Sequence, residues 1–310
     1  MSKTALMLIR TPLQAYLAKR VLRQEGVGVY DLIYVTHNDG PEDRHYFVKL
    51  SSEARHHLYC HIRPHRYDIL NHVHMAWRAR HWRRDLKHDL TLMASVDNPL
   101  FSAIATRQRQ ATLVTFDDGT ANYLRTDPYR SGKLGLRGTF YRWCLGAPVI
   151  QQLKQNIARH YSLHPELGNI VPKEKLVTIT AGFQSGAAPD APEASFFIGQ
   201  PFEEILTPEE LRAFLSRVRQ FPVDFYIRHP RETKPLALGV PFLEKQGLIA
   251  EEVIEQAAHG HRIRLVGGFS SVMLNMGRDI PRTVILNGAM KGGAMMERLA
   301  RDAGCQVIVL

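Results

Sequence analysis

The sequence predicts an α/β protein made of two units with parallel sheets, on three observations. Short apolar runs alternate with longer amphipathic stretches, the pattern of strands covered on both faces by helices. The length of 310 residues suits two domains, each burying its own core. Between Ala181 and Ser195 the chain reads AGFQSGAAPDAPEAS, rich in Gly, Ala, Pro and Ser and without periodicity, which marks a linker. The boundary falls there, with one domain over residues 1–185 and a second over 190–310. Two such units generally face each other across a cleft, and ligands in such sheets sit at the carboxyl ends of the strands.

Taken in order, the strands expected are Ala5–Ile9, Leu32–Thr36, Leu90–Ala94, Thr112–Phe116, Leu176–Thr180, Ser195–Gly199, Phe225–Arg228, Arg262–Val266, Thr283–Asn287 and Gln306–Leu310. Leu13–Gln24, Ile69–Arg84, Pro99–Arg109, Pro208–Gln220, Ala250–His259, Ser270–Met276 and Gly292–Ala303 carry apolar residues at helical spacing. Thr207-Pro-Glu-Glu210 is a helix start, with a Thr cap, Pro at the first position and Glu at the third. The opening MSKTALMLIRTPLQ holds a short apolar run broken by Arg10 and Pro12, too short for a signal segment or a spanning helix. It is read as the first strand.

Forty Lys and Arg against thirty Asp and Glu leave a formal charge of +10, which favours anionic partners. Cys60, Cys144 and Cys305 are far apart and odd in number, so neither a disulfide framework nor a zinc ribbon is expected, and a cytoplasmic location fits.

The strand-end rule selects three places. Phe116-Asp117-Asp118-Gly119 puts two carboxylates before a turn glycine, where one of them, partly desolvated, could work as a general base. The same residues are ordinary turn chemistry, with Asp118 as a helix cap. Gly199-Gln200-Pro201-Phe202-Glu203-Glu204 follows another strand. Asp224-Phe-Tyr-Ile-Arg-His-Pro-Arg-Glu232 runs a buried strand into Arg228, His229, Pro230 and Arg231, a concentration of positive charge suited to an anion, though strand alternation keeps these side chains from all facing one way. Downstream, Val266-Gly-Gly268-Phe-Ser270-Ser271 ends a strand in glycines and opens a helix with two hydroxyls, a layout that holds phosphate.

The segment His45–Asp89 carries nine of the fifteen histidines with Trp77, Trp82 and the run Arg78-Ala-Arg-His-Trp-Arg-Arg84. His57, His61 and His65 recur every four residues, as zinc ligands on a helix do, but Pro64 disturbs that helix. A solvated basic face, a contact for an anionic acceptor, attachment to acidic lipid at the inner membrane surface, or RNA are the other uses. No RNA-binding module signature is present, nor are Walker A, dinucleotide, G-x-S-x-G or H-E-x-x-H motifs. Without an Asp-x-Asp to hold a metal, a phosphate site of this kind suits a leaving group with few phosphates.

Phe-Asp-Asp-Gly followed by Asn-Tyr, Gly-x-Pro, Tyr-x-x-His-Pro-Arg-Glu and the later Ser-Ser occur in an order and spacing that resemble glycosyltransferase family 52, the bacterial lipooligosaccharide sialyltransferases. The likeness runs from Thr-Pro-Leu-Gln after the first strand to Ser-Ser. It implies a GT-B type fold, a CMP-sialic acid donor bound by the second domain, and metal-independent, inverting transfer to a galactose-type hydroxyl of a surface glycan taken up by the first. By position, His229, Ser270 and Ser271 would contact the donor phosphate, with Gly199, Gln200, Pro201, Arg228, Pro230 and Gly268 around it. The base would be one of Asp117, Asp118, Glu203 and Glu204. No cofactor or metal is implied, and the family includes dimers. The competing readings are a transferase of the same fold using another nucleotide sugar, and a basic non-enzymatic protein that binds acidic glycan or nucleic acid.

Overall fold

The computed structural model describes residues 2–62, 69–83, 85–124, 136–180, 182–288 and 292–310, so Pro64, His65, Arg84 and Ala181 lie outside the described residues. The chain divides into two compact units, Met1–Thr180 and Ala181–Leu310.

The first unit holds strands β1 (Lys3–Ile9), β2 (Val27–Thr36), β3 (His56–His61), β4 (Leu90–Met93), β5 (Thr112–Phe116), β6 (Ile157–Ser162) and β7 (Leu176–Thr178). They form one sheet in the order β3-β2-β1-β4-β5-β6-β7, every pair parallel. Its described helices are α1 (Pro12–Glu25), α2 (Pro41–Ser51), α3 (Ile69–His81), α4 (Pro99–Arg107), α5 (Ala121–Leu124), α6 (Leu136–Leu145) and α7 (Ile150–Asn156). The strand order reverses between β1 and β4, which opens a crevice at the carboxyl ends of those two strands.

The second unit holds β8 (Glu193–Ile198), β9 (Phe225–Ile227), β10 (Arg262–Gly267), β11 (Arg282–Leu286) and β12 (Gln306–Val309), with α8 (Phe202–Ile205), α9 (Pro208–Val218), α10 (Ala250–Ala257), α11 (Ser271–Asn275) and α12 (Gly293–Asp302). The order β12-β11-β10-β8-β9 is again all parallel and reverses between β8 and β10. Both units are therefore Rossmann-like, as the sequence pattern predicts. The α9 start is a capping box: the Thr207 hydroxyl accepts from the Glu210 amide at 3.3 Å and Glu210 accepts from the Thr207 amide at 2.7 Å.

All ten expected strands form, β2 starting at Val27 rather than Leu32. Two strands were not expected, β3 and β6, because polar side chains interrupt their apolar runs. In β3 the histidines lie on an extended strand, so His57 and His61 stand about 13 Å apart along it rather than one helical turn. That corrects the helical zinc reading. His57 packs edge-on against Phe47, and His61 pairs with Asp39 at 3.5 Å. Among the described residues no group of three or more metal-ligating side chains forms, and no helix is long and apolar enough to cross a membrane.

The basic segment is partly explained by a buried acid. Asp31 on β2 is fully enclosed and takes Arg55 at 2.7 and 3.1 Å, His56 at 3.0 Å and His88 at 2.7 Å. Burial alone would push the Asp31 carboxyl up, but the hydrogen bonds from Arg55, His88 and His56 outweigh it and bring it down to about 2. A folded-state value below the unfolded one stabilises the protein above about pH 4, and that contribution fades as pH falls toward 2. Asp31→Asn should therefore cost on the order of 2 kcal/mol in urea unfolding at neutral pH, with the gap to wild type closing in acid.

Candidate functional site

In the first unit the paired carboxylates after β5 separate into two roles, because successive residues leaving a strand point to opposite sides. Asp117 is buried and takes four donors. The Tyr123 hydroxyl donates to Oδ2, as does the Leu163 amide at 2.6 Å, while His160 Nε2 at 3.0 Å and Asn169 Nδ2 at 2.9 Å reach Oδ1. With Nε2 donating to Asp117, His160 Nδ1 accepts from the Thr115 hydroxyl at 2.7 Å. Burial pushes Asp117 up, yet the hydrogen bonds from His160 foremost, then Tyr123 and the Leu163 amide, leave it below the ordinary carboxylate range. It is a structural anchor.

Asp118 faces the crevice between β1 and β4. Its Oδ1 accepts from Gln14 Nε2 at 2.6 Å and its Oδ2 from the Ser95 hydroxyl at 2.7 Å, while Gln14 also donates to Ser95 Oγ at 2.9 Å. Gln14 is placed by the start of α1, where Thr11 caps the Gln14 amide and Gln14 Oε1 takes the Arg10 amide at 2.8 Å. Desolvation, with the charge of Asp97, raises the Asp118 carboxyl above its usual value against the pull of Gln14, Ser95 and Arg10. The turn continues through Gly119 at φ 60°, a left-handed conformation that suits glycine.

In the second unit Gly267, Ile198 and Ile227 lie level across β10, β8 and β9. The residues just beyond them, Gly268, Gly199 and Arg228, therefore emerge side by side at strand spacings of about 5 Å. Gly199 is required by its neighbours: a Cβ there would stand 2.5 Å from Glu232 Oε2 and 2.7 Å from the Tyr226 ring. A Cβ on Gly268 would meet Gln200 Oε1 at 2.2 Å, and Gln200 Nε2 donates to the Phe269 carbonyl at 2.5 Å.

The His-Pro-Arg-Glu turn is folded around Glu232. This buried carboxylate accepts from the Tyr226 hydroxyl and, at 3.3 Å, from the His229 amide. Arg228 does not point with His229; it donates to the Glu232 carbonyl at 3.0 Å and lies 5.7 Å from the centre of the Phe242 ring. The Arg231 amide donates to His229 Nδ1 at 3.1 Å, which leaves the imidazole proton on Nε2. Burial, with the charges of Arg231 and Lys245, pulls His229 down to about 4, so it is a neutral N–H donor at physiological pH.

Beside these strand ends lies a cavity of about 380 Å³ within the second unit, walled by Gln200, Phe202, Glu204, Phe269, Asn287 and Met296 among others. Glu204 is exposed on its rim and stands 3.5 Å from the Arg231 guanidinium. Glu203 turns the other way, accepting from the Thr233 hydroxyl at 2.5 Å and from the amides of Thr233 at 2.9 Å and Lys234 at 3.3 Å. Those bonds, that of the Thr233 side chain foremost, bring it down to about 2. Pro201 is buried ahead of α8 and Pro230 is exposed. Ser270 caps α11, its hydroxyl accepting from the Met273 amide at 3.5 Å, and Ser271 is half-buried beside it. His229, Ser270 and Ser271 are not among the cavity's walls.

Of the sequence candidates, Gln200, Glu204 and Gly268 thus share one cavity, with His229, Ser270 and Ser271 on the adjoining strand ends. Gln14, Ser95, His160, Glu232 and Asn287 were not picked out. Two of them stood inside quoted motifs, Gln14 in Thr-Pro-Leu-Gln and Glu232 in His-Pro-Arg-Glu; Ser95, His160 and Asn287 carry no local signal.

The model of glycosyltransferase family 52 matches residues 41–281. The chain is 28% identical over 168 residues to a CMP-N-acetylneuraminate:beta-galactoside alpha-2,3-sialyltransferase of Pasteurella multocida, an alignment covering 53% of each chain. It is 22% identical over 304 residues to an N-acetyllactosaminide alpha-2,3-sialyltransferase of Neisseria meningitidis, covering 93% of this chain and 78% of that one. Among solved structures, TcCGT1 in complex with UDP superposes with a TM-score of 0.53 at 10% identity, covering 99% and 86% of the two chains. A UDP-N-acetylglucosamine 2-epimerase gives 0.50 at 13% identity, covering 92% and 78%. The fold is of the GT-B type.

Two outcomes follow from the geometry of the second unit. Gly199→Ala should destabilise the protein by about 1–3 kcal/mol in chemical denaturation, since its Cβ is driven onto a buried carboxylate and a fixed ring. In the free protein the His229 ring should titrate near 4 by NMR, well below the 6.5 of an ordinary histidine.

Proposed function

The chain belongs to glycosyltransferase family 52, and from that premise we propose that it is a sialyltransferase. It would move sialic acid or a related nonulosonic acid from a CMP-activated donor to a galactose-type hydroxyl of a surface glycan, with inversion and without a metal. The observation that carries this reading is the arrangement at the switch point of the second sheet. A cavity of about 380 Å³ adjoins three strand ends that offer a neutral imidazole N–H at His229 and two serine hydroxyls. The sialyltransferase names of both relatives supply the donor and acceptor classes.

On this reading the C–O bond between the sugar and the CMP phosphate breaks, and the electron pair leaves with the phosphate. His229 Nε2–H and the Ser270 and Ser271 hydroxyls donate to the oxygens on which that charge settles. The acceptor hydroxyl forms the new bond to the anomeric carbon from the opposite face and gives its proton to a carboxylate. Glu204, on the rim of the cavity and turned from the loop that holds Glu203, is the base assigned here. Asp118 is the second reading, favoured by its raised pKa and its two aligned donors. Asp117 and Glu203 are spent on structure. The three cysteines are unpaired, in keeping with work in the reducing cytoplasm.

Calorimetric titration with CMP, CDP, UDP and GDP tests the donor. CMP should bind selectively, and His229→Ala should weaken it by about 10-fold or more, the worth of a hydrogen bond to a charged group. Preference for UDP or GDP would retain the fold and discard the sialic acid donor, and no nucleotide binding would favour a non-enzymatic binding protein.

Transfer kinetics separate the two carboxylates. Glu204→Gln should lower kcat by about 10²–10⁴-fold with CMP affinity unchanged, and Asp118→Asn should leave kcat near wild type. The reverse pattern would move the base to Asp118.

A further inference from the structure

The short helix that follows Ser270 owes its place to a charge at its other end. α11 spans five residues, Ser271–Asn275, barely more than one turn, and a helix of that length has no stability of its own. Where its first hydroxyls stand is therefore decided by what holds the rest of it.

Arg282 does much of that holding. It opens β11, level with Leu265 on β10, and is 3% exposed. Its Nη1 donates to the carbonyls of Met273 at 2.9 Å and Met276 at 3.2 Å, its Nη2 to that of Ala303 at 2.7 Å, and its Nε to that of Ile280 at 3.2 Å. Among the described residues its hydrogen-bond acceptors are carbonyl oxygens alone. An arginine keeps its charge, so one buried without a carboxylate is a costly way to fill space. What it supplies is a planar fork that meets the ends of α11 and α12 together, where helix carbonyls have no partner of their own.

Met273 joins that fork to the serines. Its carbonyl accepts from Arg282, and its amide donates to Ser270 Oγ at 3.5 Å. With the oxygen engaged as an acceptor, the Ser270 hydroxyl hydrogen is left to donate elsewhere. Asn275, last in the helix, donates to the buried Glu251 at 2.8 Å, so α11 has a second hold on the core. Loss of the guanidinium would therefore reset Met273 rather than detach the helix.

We propose that Arg282 is a positioning residue for the donor phosphate, acting through Met273 and the α11 backbone to set the Ser270 and Ser271 hydroxyls. The role rests on the reading of those serines as donors to the CMP phosphate. A fork fixed at the far end of the helix holds both hydroxyls before the nucleotide arrives, so little ordering is left to be done on binding.

Calorimetric titration with CMP, run on Arg282 variants in three backgrounds below their melting transitions, tests the role. In the otherwise wild-type chain Arg282→Met should weaken CMP by about 10-fold, the worth of a hydrogen bond to a charged group. Arg282→Lys, which keeps a cationic donor without the fork, should recover about threefold of that loss. With Ser270→Ala and Ser271→Ala present, Arg282→Met should cost nothing more, because no hydroxyl is left to position. With His229→Ala present it should still cost about 10-fold, since His229 stands on a separate turn. Should Arg282→Met fail to fold, Arg282→Lys carries the same comparison with a smaller loss. Wild type that binds CMP while the Arg282 loss is equal in all three backgrounds, or absent, would overturn the positioning role and leave the donor assignment standing. Wild type that binds no CMP would overturn the donor assignment, and this role with it.

Discussion

A carboxylate taken out of water has to be met by donors, and that need organises the carboxyl end of the first sheet. Asp117 leaves β5 pointing inward, and four groups converge on it from β6, α5 and the loop after β6. The His160 ring is turned by Thr115 so that its N–H points at the acid, and Tyr123 is brought there by the turn through Gly119. Once Asp117 is held in this way, Asp118 has no choice but to face the opposite side, toward Gln14 and Ser95. The position of a candidate reactive group is thus a consequence of its neighbour's burial.

The second unit meets the same need with Glu232. Its carboxylate, drawn under the end of β9, fixes the His229 amide and the Tyr226 hydroxyl. It also fills the space that makes a side chain at residue 199 impossible. The exposed cations of the turn then follow from geometry rather than from direct attraction to one ligand. Arg228 folds back over Phe242, and Arg231 reaches Glu204. The backbone of the turn, through the Arg231 amide, fixes the His229 proton on Nε2. Three cationic or titratable residues close in the sequence thus take three separate placements.

Most of the framework was legible because parallel strands buried on both faces read as short apolar runs, and Thr207-Pro-Glu-Glu210 spelled out its own cap. β6 was hidden for the reason that it matters: Arg159 and His160 break its apolar run, and they do so because each serves a buried acid, Glu25 and Asp117. β3 was hidden because His56 and His57 replace its alternation, one of them to serve Asp31. In the site, the strand-end rule found the loops but could not divide labour within Asp117-Asp118 or Glu203-Glu204. That division depends on partners such as Asn169 and Thr233, remote from the motif or unremarkable in sequence.

The neutral state of His229 bears on how a leaving phosphate would be stabilised. A permanently charged residue already attracts the phosphodiester donor in the ground state, so part of its interaction tightens binding without lowering the barrier. An imidazole held neutral by burial and by Arg231 and Lys245 would, in the proposed role, make an ordinary hydrogen bond to a singly charged phosphodiester. As bond cleavage loads a second charge onto the phosphate, the same N–H donates to a stronger acceptor, and the rising negative charge lifts the imidazole's own affinity for a second proton. The interaction therefore grows along the reaction coordinate. The turn that buries Glu232 and the backbone bond that caps His229 Nδ1 set the imidazole in the one tautomer able to do this, so in the proposed reaction the same few residues would meet the folding constraint and the catalytic one.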